Sequence, residues 1–278
     1  MVAFRVWLTR VDLEGPRVEL VNVLRDVDVL ILTIRYSGLG SQIPLTDAAK
    51  AASVRRFVPC IIATVAPPKG VLTLRRLEKA LLHAKTISLP YTVIDVGRWY
   101  QLSIPRLPSG PLPVNFIARD GNTPSTLTDV RDVGRVTARI VADPRTINKT
   151  VLVYGAVLSQ NQIFDMLDKM SCKTSKLDYM GLSAEALETA LSEPLTMDAI
   201  EENAFDHRMT IFHEYWYSMG VRGDNTSEYA DFLGYIDGTK LYPDFKLINF
   251  KSFLEEVLEG KSVSIYNTLK DELMNNDR

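Results

Sequence analysis

Between residues 4 and 97 the chain alternates short, mostly apolar runs with amphipathic stretches, and this alternation restricts its fold more than any other feature. "FRVWLTRV" (4–11), "VDVLILTI" (27–34), "RRFVPCIIATV" (55–65) and "LPYTVIDVG" (89–97) have the composition of strands. The near-continuous apolar character of 27–34 is what a parallel strand covered on both faces requires. Helical periodicity fills the gaps. Val18, Leu20, Val21 and Leu24 share a face after Pro16. Residues 43, 45, 48, 49 and 52 do so after a possible N-cap at Ser41, and Val71, Leu74, Leu77, Leu81 and Ala84 do so before Leu89. Strict strand and helix alternation predicts an α/β fold with a parallel sheet. Because the crossover at 14–26 is short, strands 4–11 and 27–34 are expected to pair directly.

After Gly97 the rhythm stops. "RWYQLSIPRLPSGPLPV" carries Pro105, Pro108, Pro111 and Pro113 and reads as loop. Short strands around an Asp-Gly turn are expected in 115–130, then a helix in 131–143 and a strand in 149–155. From Ser159 the chain reads as mostly helical, with helices in 159–171, in 183–193, near 196–219 and near 250–260. The expected organisation is a Rossmann-like region over 1–158, with a loop insertion at about 98–128, and a helical region over 159–278.

Charge and cysteine content exclude several function classes. A formal charge of −2 with no dense Lys/Arg run argues against nucleic acid as a partner. No apolar run approaches the length of a bilayer span, and Arg5, Arg10 and Asp12 leave no signal-peptide core, so a cytoplasmic protein is expected. Cys60 and Cys172 are far apart and read as reduced thiols. No metal site is expected: His207 and His213 are six residues apart and diverge on a helix. The Y-x-x-x-K spacing occurs at Tyr242–Lys246, where Pro243 argues for a turn, and at Tyr266–Lys270, beyond the predicted strands.

Four segments carry a family resemblance: "VDLEGPRVELVNVLRDVDVLI", "QIPLTDAAKAASVRRFVPC", "LPYTVIDVGRWYQ" and "TDVRDVGRVTARIVADP". Together with the C-terminal "YADFLGYIDGTKLYPDFKLINFKSFLEEVLEGK", they make the chain resemble the fungal NmrA-like and isoflavone-reductase-like atypical short-chain dehydrogenases. The resemblance implies an NAD(P)-binding Rossmann-like sheet with a smaller helical substrate region, NADPH as cofactor, and a small aromatic or polyketide-like metabolite as substrate, in a monomer or homodimer. It places Asp12 and Leu13 near the adenine and assigns Thr33, Arg35 and Cys60 to the cofactor side. Family members begin with a strand and G-x-x-G-x-x-G. This sequence has no such motif, and its only G-x-G is Gly38-Leu39-Gly40, so NADPH binding is expected to be impaired or absent.

The family's reductases use a lysine on the helix after the 55–65 strand. Lys79 is the nearest match, although the register could instead put Leu77 or Glu78 there, and a surface role for Lys79 stays open. Cys60-Ile61-Ile62 stands where reductases commonly have Ser, an acidic residue and Phe; Cys60 is either a nucleophile or a buried inert thiol. Trp99 and Tyr100 leave the end of a parallel strand, where ligands bind in such folds. With Tyr215 and Trp216 they form the expected substrate-binding set, core packing being the alternative for each. Three functions follow: an oxidoreductase, a cofactor-independent isomerase, cyclase or lyase, and a non-catalytic regulator or binding protein.

Overall fold

The centre of the molecule is a parallel sheet in the order β1 (Val29–Ile31), β2 (Arg56–Val58), β3 (Thr92–Asp95), β7 (Lys149–Leu152) and β10 (Ile236–Asp237). The β2 to β3 step is a single parallel bridge, Phe57 to Tyr91, with the Phe57 amide donating to the Pro90 carbonyl at 2.8 Å. This computed structural model describes residues 8–34, 42–68, 70–104, 116–171, 180–192, 196 and 207–261, apart from the side chains of 72–77 and 208. Strand-to-helix alternation produces the expected α/β architecture, with α1 (Arg17–Val23), α2 (Gln42–Ala51), α3 (Leu72–Thr86) and α4 (Val130–Val141) between the strands.

Successive side chains of a strand point to opposite faces, and both faces of β2 are covered. Phe57 joins Leu20 of α1 and Leu24 just after it, Leu45, Ala48 and Ala49 of α2 and Ala84 of α3 in one core. Its neighbour Val58 packs with Ile94, Val96, Val151 and, from α4, Val136 and Ile140 in another. Burial on both sides is why these strands read as unbroken apolar runs. Arg56 is the exception within β2. Its buried guanidinium donates to the carbonyls of Ile140 (3.0 Å) and Asp143 (2.9 Å) and to Thr146 Oγ1 (2.8 Å), so it satisfies carbonyl groups left over at the end of α4.

The structure corrects several sequence expectations. Residues 8–11 are not strand, residues 4–7 lie outside the described residues, and among the described residues β1 pairs only with β2. The 55–65 strand ends at Val58 because Pro59 has no N–H to continue a ladder. The predicted loop after Gly97 contains β4 (Arg98–Trp99), paired parallel to β6 (Ser125–Thr128). The strands flanking the Asp-Gly turn do not form a hairpin. β5 (Phe116–Ala118) pairs parallel with β9 (Met180–Leu182), and β6 pairs antiparallel with β8 (Ala156–Leu158). The turn serves another purpose: Asn161 Nδ2, at the start of α5 (Gln160–Ser171), donates to the carbonyl of Asp120 at 2.9 Å and to Asn122 Oδ1 at 2.8 Å.

In the C-terminal half, α6 (Ala184–Ala190) and α7 (Arg208–Trp216) pack together. Tyr217–Arg222 extends α7 as a π-helix that ends at Gly223, φ +72°, a left-handed conformation natural to glycine. Then come α8 (Ser227–Phe232), the strand β10, α9 (Gly238–Leu241) and α10 (Phe250–Leu258). The sequence pattern did not reveal β10, which returns from this half to complete the sheet beside β7.

Candidate functional site

The carboxyl ends of β1, β2 and β3 bring Ile34, Cys60 and Asp95 towards one edge of the sheet. Cys60 is half-buried; its thiol donates to the Ile34 carbonyl at 3.5 Å and its amide to Gln42 Oε1 at 2.9 Å. Burial pushes the thiol pKa up, which favours the unreactive protonated form over a thiolate nucleophile. Gln42, the first residue of α2, is buried and its Nε2 has no partner among the described residues.

Asp95 at the end of β3 is almost fully buried, with Ala63 and Tyr235 hydrogen-bonding to its carboxyl and Oδ1 left without a partner among the described residues. Burial raises its pKa well above its ordinary value, which favours the protonated carboxyl. The same environment, with Asp95 beside it, pushes the Tyr235 hydroxyl up as well.

A narrow cleft lies where β4, β6 and α5 meet α7 and its π-helical extension. Arg98, Thr123, Ser125 and Gln160 line it opposite Trp216 and Met219. Most of its polar groups are already engaged. Gln160 bonds the Phe116 carbonyl and the Ala118 amide, both at 2.9 Å, Thr123 Oγ1 donates to the Gly220 carbonyl at 2.7 Å, and Ser125 Oγ accepts from Asn225 at 2.7 Å. Arg98 differs. Its guanidinium carbon lies 4.1 Å from the centroid of the Trp216 ring, and one Nη donates to the Leu102 carbonyl.

The predicted site residues separate into groups. Tyr215 packs around Val71 together with Cys60, so α7 and the end of β2 do meet. Trp216, the next residue, is buried against Phe116 (centroids 4.7 Å apart, near-perpendicular) and lines the cleft. Trp99 is half-buried against the core shared by β3, β7 and α4. Tyr100 is a correction to the substrate set. It is fully buried, edge-on to Phe250 at 4.8 Å, with its hydroxyl donating to the Ile248 carbonyl at 3.1 Å, and so packs in the core between α5 and α10.

Lys79 is exposed on α3 and is not among the residues lining the cleft. Asp12 is exposed and accepts from the Glu14 amide in a turn, Leu13 packs against the α1 and α2 core, and Thr33 is exposed beyond β1. Arg35 lies outside the described residues. Tyr242, of the first Y-x-x-x-K match, follows α9 in a turn, buried, and donates to Asp143 Oδ2 at 3.0 Å. Among the described residues no group of His, Cys, Asp or Glu could hold a metal ion, and no helix is long and apolar enough to cross a membrane. Sequence reasoning passed over Arg98, Asp95 and Gln42. The signal for Arg98 was its place between Gly97 and Trp99 at a strand end.

NADPH, implied by the resemblance, needs backbone N–H groups closing on its pyrophosphate at a glycine turn before a helix. At Gly70, Gly97 and Gly155 an added Cβ would collide with Pro67, Thr126 and Tyr100, so protein already fills the space beside them. The described glycines with open space around them, Gly134, Gly181, Gly234 and Gly260, lie within α4, within β9, ahead of β10 and after α10. Gly38 and Gly40 lie outside the described residues. None of the described glycines with open space around it lies between a strand and the helix that follows it.

This sheet, with its helices and a cleft towards the C-terminal half, is the fold of NAD(P)-binding reductases. The leucoanthocyanidin reductase from Vitis vinifera, solved with NADPH, superimposes with a TM-score of 0.72 at 20% identity over 87% of this chain and 80% of that one. An isoflavone reductase does so with a TM-score of 0.70 at 21% identity over 88% and 80%. No family model matches the chain. In sequence it is 40% identical over 267 residues, 92% of this chain and 80% of the relative, to asnovolin J 5′,6′-dehydrogenase nvfM of Aspergillus novofumigatus (strain IBT 16806). It is 27% identical over 250 residues, 84% and 76% of the two chains, to phenylcoumaran benzylic ether reductase TP7 of Nicotiana tabacum. The chain belongs to the NmrA-like, isoflavone-reductase-like family of atypical short-chain dehydrogenases.

Proposed function

We propose that the chain acts on a small aromatic or polyketide-like secondary metabolite that enters the cleft between β6 and α7, as an oxidoreductase-family enzyme whose 278 residues bind NADPH weakly. The observation that carries this reading is the lining of the cleft: an indole ring and Met219 for an apolar ring system, with Arg98 for an oxygen substituent. The fungal dehydrogenase relative supports the substrate class. In this reading Lys79 is the lysine that steers a proton from α3, and Trp99 and Tyr215 shape the wider pocket.

The filled space beside the strand-end glycines favours a second reading, a cofactor-independent isomerase, cyclase or lyase. Calorimetry with NADPH, followed by turnover of aromatic ketones and enones with and without it, separates the two. A dissociation constant above the micromolar range is expected, because a pyrophosphate without its amide donors forfeits several hydrogen bonds. A sub-micromolar constant overturns the weak-binding proposal. Turnover without cofactor selects the second reading, and metabolite binding without turnover identifies a regulator or binding protein. Lys79→Ala is expected to lower kcat with the circular dichroism spectrum unchanged; unaltered turnover removes the lysine from the site.

A further inference from the structure

Arg98 is a cation in the wall of the cleft with no carboxylate bonded to it among the described residues. An arginine drawn out of water ordinarily pairs with an acid, because its charge loses hydration that something must replace. The buried carboxylates of this protein follow that rule, Asp129 with Arg131 (2.8 Å), Asp132 with Arg135 and Asp224 with Arg222, whereas the buried guanidinium of Arg56 spends its donors on two carbonyls and Thr146. At Arg98 the described partners are one carbonyl, that of Leu102, and the face of Trp216. The segment nearest in sequence that lies outside the description, 105–115, contains no Asp or Glu. Burial works against the guanidinium charge and pushes its pKa down to about 9, which leaves it protonated at neutral pH.

Stacking on Trp216 and the bond to Leu102 hold the guanidinium in position. A guanidinium has more N–H donors than these contacts use. In the surrounding cleft wall Thr123 donates to the Gly220 carbonyl and Gln160 to the Phe116 carbonyl, while Ser125 accepts from Asn225, which leaves Arg98 as the charged donor of the cleft. The interior is tight and admits little more than a water-sized group. That size suits a single oxygen of a larger molecule whose ring system stays at the mouth of the cleft.

We propose that Arg98 is the anchor for an anionic oxygen of the substrate, a carboxylate or an ionised phenol, and so selects acidic aromatic ligands over their neutral counterparts. The proposal rests on the cleft reading above and adds the charge of the ligand to it. No sequence motif marks this position, and its specificity comes from a guanidinium that has no acidic partner among the described residues and lies against an aromatic ring.

The test uses 1-naphthoate, its methyl ester and 4-nitro-1-naphthol, a phenol acidic enough to ionise while the guanidinium is charged, as probes of the full chain, read by calorimetry and tryptophan fluorescence. Wild type is expected to bind naphthoate at least about tenfold more tightly than the ester, the worth of one charge-assisted hydrogen bond. Arg98→Gln should abolish that preference by lowering naphthoate affinity more than ester affinity, and Arg98→Lys should keep part of it. Nitronaphthol binding that strengthens as its hydroxyl ionises assigns the site to phenolates; a response to naphthoate alone assigns it to carboxylates. Equal binding of acid and ester by wild type overturns the anchor and leaves the cleft reading intact. Failure of all three probes to bind at millimolar concentration overturns both. Should Arg98→Gln not fold, the Arg Nε–Hε signals of wild type followed by nitrogen-15 NMR decide the point. A naphthoate-dependent shift absent with the ester supports the anchor, and an unmoved spectrum refutes it.

Discussion

Replacing Asn225 should disconnect the cleft from the sheet that supports it. This side chain is fully buried just ahead of α8, and all of its hydrogen-bonding capacity is used. Nδ2 donates to Ser125 Oγ at 2.7 Å and to the Thr126 carbonyl at 2.9 Å. Oδ1 accepts from the Val65 amide at 3.1 Å and from Thr126 Oγ1 at 2.8 Å. One residue thereby joins the segment after β2, the strand β6 and the C-terminal half. Truncation in Asn225→Ala leaves the Val65 amide and the Thr126 carbonyl buried without these partners. Each such group costs about 1–3 kcal/mol, so a loss of about 4 kcal/mol is expected for the pair. Asn225→Asp keeps the acceptor but sets a second oxygen against the Thr126 carbonyl, so a loss above about 2 kcal/mol is expected there as well. Urea unfolding followed by tryptophan fluorescence measures both, with Leu82→Ala, at an exposed site on α3, as a reference expected to stay within about 0.5 kcal/mol. An Asn225→Ala loss below about 1 kcal/mol would refute the reasoning. Ser125 lines the cleft, so naphthoate binding should weaken in the same variants.

Asp95 predicts a pH dependence of stability. Its folded pKa is raised, so between about pH 4 and that pKa the folded state keeps a proton that the unfolded chain loses, and stability falls as pH rises. Asp95→Asn should flatten this slope by up to about 1.4 kcal/mol per pH unit, seen as a smaller change in Tm from pH 5 to pH 8; equal slopes in both proteins would discard the buried neutral acid. Arg56→Met should lower stability by about 2–4 kcal/mol because the Ile140 and Asp143 carbonyls lose a charged donor, and an unchanged urea midpoint would mean that water replaces it at no cost. Sedimentation is expected to give a monomer or a homodimer. If a dimer forms through the outer edge of β1, Ile31→Lys on that strand should return the mass to one chain, whereas a dimer indifferent to it would place the interface elsewhere.

Periodicity made much of the sheet half legible without coordinates. The helices at 17–23, 42–51, 72–86 and 130–141 and the strands at 29–31, 56–58, 92–95 and 149–152 follow from local patterns, because an element that packs on a core must repeat its apolar residues at its own period. Family membership was legible too, since long segments retain both pattern and residue identity. Only the tertiary structure decided which short strands pair. β4, β5, β6, β8, β9 and β10 take partners from distant parts of the chain, and no local pattern marks which strand pairs with which. The same holds for the site. Tyr100 and Trp99 are adjacent and aromatic, yet one is sealed against Phe250 and the other only half-buried, while the unremarked Arg98 lines the cleft. A residue's type states what chemistry it can do. Whether that chemistry faces a ligand or is consumed by a neighbour depends on contacts between residues far apart in sequence, and those exist only once the chain has folded.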